Sequence, residues 1–137
     1  MKVGRYIYNR LITHASLTAL VGTRIYPVVA PQNATYPLIT YSIIKAPLDR
    51  SKQCAGDYMR ATVQLTIWAD WQDGQNAYDA LDDIEAILLA RLDYQEATAG
   101  GITVSHCAFD NSSDAVDDGL LALARNCTYN FILATDQ

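Results

Sequence analysis

The pattern of apolar and polar positions changes period along the chain, and each change marks an element. In residues 3–20, Val3, Ile7, Leu11 and His14 follow helical spacing, with Tyr6, Arg10, Leu17 and Leu20 flanking them. That predicts an amphipathic helix, stopped at Gly22. Residues 36–45 switch to alternation: Ile39, Tyr41 and Ile43 fall on one side, Leu38, Thr40 and Ser42 on the other. Residues 58–69 alternate more cleanly, with Ala61, Val63, Leu65 and Ile67 set against Thr62, Gln64, Thr66 and Trp68. Both stretches predict strands. Helical spacing returns over residues 75–92, where Ala77, Leu81, Ile84 and Leu88 form a stripe widened by Ala80 and Ile87. Asp73 suits the N-cap of that helix. Two more strands are expected, over residues 102–109 and 124–133, separated by an acidic loop at 110–119.

Residues 24–37 fit neither period. Pro27, Pro31 and Pro37 exclude regular ladder or helix pairing for most of this stretch, yet it carries Ile25, Tyr26, Val28 and Val29. Irregular chain this apolar needs packing, either on its own core or on a neighbouring subunit. The order is helix, two strands, helix, two strands, with no short-loop βαβ repeat. The expected fold is therefore α+β: an antiparallel sheet of about four strands with two helices packed on one face. The 137 residues suffice for one domain, 1–137, with its own core.

Composition narrows the class. Half the residues are hydrophobic and 18% charged, which excludes a disordered tail. No apolar run approaches the roughly 20 residues of a spanning helix, so no membrane partner is expected. Lys2, Arg5 and Arg10 break up the N-terminal apolar positions. This is unlike a signal-peptide h-region, so synthesis and assembly in the cytoplasm are expected.

Charge is unevenly distributed. Residues 1–69 hold eight Lys/Arg against two acids, and residues 70–137 hold two against 13. Such a split suits subunits that meet through unlike surfaces. A solubilising set of acidic helix and loop residues explains it equally well.

Little of the chain suggests catalysis. His14 lacks a second metal-ligand residue one turn on. His106 and Cys107 would make a base–thiol pair, but neighbours on a strand point to opposite faces. Cys127, between strand-like apolar residues, reads as a small buried hydrophobe. Cys54 lies in a polar loop. Asp79, Asp82 and Asp83 share the solvent face of the second helix. The 110–119 stretch adds Asp110, Asp114, Asp117 and Asp118 in an order that departs from a calcium-loop pattern. Phosphate-binding glycine loops and nucleophile elbows are absent. No catalytic residues, cofactor or metal are expected.

Three pieces carry a family likeness. The first is residues 17–27, ending ALVGTRIYP, with the later Tyr36-Pro37-Leu38-Ile39-Thr40-Tyr41. The second is RATVQLTIWAD, residues 60–70, with the helix after it. The third is the closing ARNCTYNFIL. Together they resemble the tail-completion or tail-terminator family of long-tailed bacteriophages and prophages. The resemblance covers nearly the whole chain through element order and apolar texture. It implies a structural subunit of the virion tail that forms a ring, usually a hexamer, at the head-proximal end of the tail tube. Such a ring ends tube polymerisation and offers a surface to the head or neck. Its implied partners are copies of itself, the tail-tube protein, a head/neck connector protein, and DNA passing through the lumen without specific binding. The alternatives are a head–tail connector or minor tail component and, in another class, a small cytosolic ligand-binding domain or enzyme. On the ring reading, Lys45, Arg50, Lys52, Tyr26, Val28 and Val29 are the expected interface. Asp79, Asp82, Asp83, Asp114, Asp117 and Asp118 are the acids expected to face the lumen or a neighbour.

Overall fold

A computed structural model describes residues 3–31, 34–45, 58–99, 101–117 and 122–134. The sheet is larger than expected and mixed. Six strands run in the order β1-β2-β3-β6-β5-β4: β1 Ile25–Pro27, β2 Leu38–Lys45, β3 Tyr58–Asp70, β4 Ala97–Ala99, β5 Ile102–Asp117 and β6 Ala122–Ala134. All neighbours are antiparallel except β1, which lies parallel to β2 with Ile25 beside Ile39. The expectation of four antiparallel strands missed the two three-residue strands at the sheet's ends, both too short to show a period.

Three helices, not two, cover one face. Residues 3–20 split into α1 (Val3–Ile12) and α2 (Ala15–Val21). The break falls at Thr13 and His14. Thr13 Oγ1 donates to the Asn9 carbonyl at 2.7 Å, and His14 is extended, at φ −94° and ψ 111°. Leu17 and Val21 of α2 are buried in the core, while His14 is only half-buried. Gly22 ends α2 at φ 60°, as the sequence suggests, its N–H donating to the Thr18 carbonyl at 2.8 Å.

The third helix, α3, spans Gln75–Leu92 and buries Ala77, Leu81, Ile84, Leu88 and Leu92. Its N-cap is Gly74, at φ 58°, rather than Asp73. Asp73 instead ends a 3-10 turn, Trp71–Asp73, whose second amide is held by Asp70: the Gln72 N–H donates to its carboxylate at 3.0 Å.

The helices rest on the odd-numbered positions of β3 and β6. Ala61, Val63, Leu65 and Ile67 pair with Phe131, Tyr129, Cys127 and Arg125. Tyr6 of α1 meets Phe131 edge-on at 6.1 Å between ring centres, and Phe109 meets Tyr129 at 5.3 Å. The other face is a ladder of neutral polar groups. Thr62 Oγ1 donates to Asn130 at 2.7 Å, Gln64 Nε2 and Thr66 Oγ1 to Asn126 at 3.0 and 2.9 Å, and Trp68 Nε1 to Thr40 at 3.1 Å.

The acidic loop expected at 110–119 is mostly strand. From Asn111 to Asp117, β5 pairs with Thr128 back to Ala122, past a register shift at Phe109/Asn111. Its side chains are polar because they meet water, while the backbone groups on one side pair with β6. Periodicity sees only side chains, so it ended the strand too early.

Candidate assembly surface

The lead-in to β2 is neither random nor buried. Ile25 anchors it, 3% exposed, and Arg24 Nε donates to the Pro37 carbonyl at 3.0 Å, tying the two ends of the segment together. Between them the chain makes a γ-turn: the Val29 N–H donates to the Pro27 carbonyl at 2.6 Å across Val28, which sits at φ 64°. A β-branched residue in this region is strained. The Val28 N–H donates to the Tyr41 carbonyl at 2.8 Å, which pins the turn to β2. Val28 and Val29 are consequently pushed into solvent, 72% and 73% exposed, and Tyr26 is half-buried.

A hollow lies on each side of this ridge. One, of roughly 220 Å³, is lined by Pro31, Ala34, Tyr36, Leu38 and Trp68 on the helix-free face. The other lies on the helix side, among Gly4, Arg5, Tyr41 and Ile43. Ile43 and Ile44 extend the exposed apolar strip along β2. Lys45 closes β2, and Arg50 and Lys52 lie outside the described residues.

The opposite end of the sheet has its own exposed set. Tyr94, at φ 57°, is 75% exposed and stands 6.0 Å from the His106 ring. Its N–H donates to the Cys107 carbonyl at 2.8 Å. Asp93 accepts the Phe109 N–H at 2.8 Å. Val116 is half-exposed farther along β5. His106 is exposed and Cys107 buried, on opposite faces as strand alternation requires. Burial pushes the Cys107 and Cys127 thiols up to about 12, with Asp93 and Glu85 adding to the respective shifts.

The acids divide. Arg125, 5% exposed, gathers three of them: Nε donates to Asp114 Oδ1 at 2.7 Å, and Nη1 donates to Glu85 Oε1 at 3.0 Å and to Asp82. The Tyr78 hydroxyl donates to Asp114 Oδ2 at 2.7 Å, and the guanidinium lies 4.9 Å from the Tyr78 ring centre. The Arg125 hydrogen bond holds the Asp114 carboxyl below its usual range, and the Asp114 contact pushes Arg125 up. Asp82 and Asp114 therefore spend their charge inside the subunit, joining α3 to β5 and β6. Asp79 accepts from Gln75 Nε2 at 2.9 Å and, like Asp83, is exposed on α3. Asp117 ends β5, and Asp118 lies outside the described residues.

Sequence reasoning did not find the Arg125 cluster. A signal was present: Arg125 holds the same strand register as Cys127, Tyr129 and Phe131, so it had to point inward and needed carboxylates. Among the described residues, no group of three His, Cys, Asp or Glu side chains is placed to hold a metal ion. No described helix is long and apolar enough to cross a membrane.

The fold and its surfaces define a small α+β subunit with exposed apolar side chains at both ends of one sheet. The chain belongs to the tail completion protein gp17 family, whose family model matches residues 5–125. It is a structural component of the phage virion tail and associates there with other virion parts. Among solved structures, a chain from the virion of a native gene transfer agent (GTA) particle is similar at 14% identity. The match covers 94% of this chain and 92% of that one, with a TM-score of 0.68. A second solved chain matches at 14% identity over 99% of this chain and 96% of its own, with a TM-score of 0.64. These likenesses establish the fold. No curated protein sequence matches.

Proposed function

We propose that the protein closes into a ring, a hexamer by its family resemblance, on the head-proximal end of the tail tube. There it ends tube polymerisation and presents the joining surface for the head or neck. The observation that carries this reading is the Val28–Val29 ridge. A strained turn that holds two valines in solvent costs the isolated subunit about 1–3 kcal/mol and favours a state in which they are covered. Tyr26, Lys45, Arg50 and Lys52 belong to the same proposed contact. With Asp82 and Asp114 engaged by Arg125, the acids left to face a lumen or neighbour are Asp79, Asp83, Asp117 and Asp118. Acids on a lumen wall would keep passing DNA from adhering.

Loss of the protein during virion assembly is the direct test. Tubes that grow past their normal length and fail to join heads support termination. Tubes of normal length that remain unjoined support a connector role instead. Heads and tails that join normally without the protein overturn both.

A further inference from the structure

The two ends of the sheet differ in a way that allows each to receive the other. At the β1–β2 end, Val28, Val29, Ile43 and Ile44 are exposed beside Arg5. At the β5 end, Tyr94 and Val116 are exposed, with Glu96 and Asp110 exposed near them. Apolar surface is thus matched with apolar surface, and one cation with carboxylates.

The levels match as well. Through β3 and β6, Tyr41 lies level with Leu65, Cys127 and Ser112, and Ile43 with Val63, Tyr129 and Phe109. The part of β2 next to Arg5 therefore stands level with Phe109–Ser112 at the far end, where Asp110 sits.

Sheet extension cannot make the join at β1. Pro27 has no N–H and its carbonyl accepts from Val29, and the Ile25 N–H donates to the Thr23 carbonyl at 2.8 Å. At the other end, Tyr94 and Asp93 occupy the Cys107 carbonyl and the Phe109 N–H. With those backbone groups spent, the contact proposed below is made through side chains.

From these features we propose that the Val28–Ile44 end of one subunit docks on the Tyr94–Val116 end of a second copy, head to tail, through side chains. The inference rests on the ring reading and specifies its interface. Unlike surfaces meeting through one repeated rotation are what a closed ring requires, whereas two like ends meeting would stop at a dimer.

Cysteine pairing tests it, in a Cys54→Ser background, on the chain at high concentration and on assembled tails. Val28→Cys and Ser112→Cys variants, whose positions stand level, should give a disulfide-linked dimer when mixed, and each alone should give none. Both substitutions in one chain should give a ladder of covalent oligomers. Arg5→Glu should weaken association at least severalfold, and Asp110→Lys added to the same chain should restore it. Val28→Cys linking to itself shows like ends meeting and overturns the proposal. Oligomers that form without any mixed link, and that ignore both charge changes, overturn the proposed interface but leave the ring standing. Absence of oligomers from solution and tails alike, by light scattering and negative-stain imaging, overturns the ring itself.

Discussion

Arg10 and Arg91 each cap the other's helix. Arg10 Nη2 donates to the Arg91 carbonyl at 2.9 Å, and Arg91 Nε donates to the Arg10 carbonyl at 2.9 Å. Each guanidinium lies in the last turn of its own helix and satisfies a carbonyl left over at the end of the other. Arg91 also reaches Thr13 Oγ1 at 3.3 Å, where α1 breaks. Burial, then the neighbouring Arg10 charge, lowers the Arg91 pKa, so the two cations are held together by carbonyls against their own repulsion.

Either substitution, Arg10→Ala or Arg91→Ala, is therefore expected to cost about 1.5–3 kcal/mol, the range for hydrogen bonds to charged groups. The double variant should cost more than the two singles combined, because the main-chain acceptors survive each substitution and each single change also relieves the repulsion between the two cations. Urea unfolding of the four chains gives the coupling directly. Additive costs would show two independent caps.

The Arg125 cluster sets an acid limit. Because the folded Asp114 carboxyl is depressed, its contribution is complete above the unfolded value of about 4 and is lost as pH falls through the lower folded one. Unfolding midpoints should decline below about pH 4, and Asp114→Asn should flatten that decline while lowering the plateau at neutral pH. An unchanged acid limb in the variant would remove Asp114 from the account. Arg125→Ala should cost about 3 kcal/mol at pH 7, since it leaves Asp82, Glu85 and Asp114 facing one another.

Val28 separates folding from assembly. Replacing it with glycine relieves the positive φ, so subunit stability should stay level or rise by up to about 1 kcal/mol. The same change removes an exposed side chain from the proposed contact, so association should weaken. Thermal unfolding of the dilute chain and sizing of the concentrated chain read the two effects separately. A loss of stability would mean that the valine packs within its own subunit.

Cys107 and Cys127 should resist thiol reagents. Both are buried with pKa values of about 12, so thiolate is scarce at pH 8. In a Cys54→Ser chain, a chromogenic disulfide reagent should find almost no fast thiol in the native state and two after denaturation. Fast native labelling would indicate that the β5–β6 region opens.

What could be read from the sequence was whatever repeats. The alternation of Ala61, Val63, Leu65 and Ile67, and the stripe from Ala77 to Leu88, gave β3 and α3 with their buried faces. Elements held by long-range partners were hidden. β1 has three residues, one of them proline, and exists because β2 lies beside it. The outer half of β5 reads as a solvated loop because its side chains are exposed and only its backbone pairs with β6. Exposure of Val28 and Val29 was half legible: their apolar character called for a partner, but the φ of 64° that turns Val28 outward leaves no trace in residue type.

The ladder on the helix-free face also bears on ionic strength. Thr62, Gln64, Thr66, Asn126 and Asn130 satisfy one another, so the middle of that face offers hydroxyls and amides with no fixed charge. Such a surface gathers no counterion cloud and has none to release. A polyanion brought against it would meet nearly the same resistance in dilute buffer as in strong salt, whereas a carpet of carboxylates would push hard in the first and hardly at all in the second.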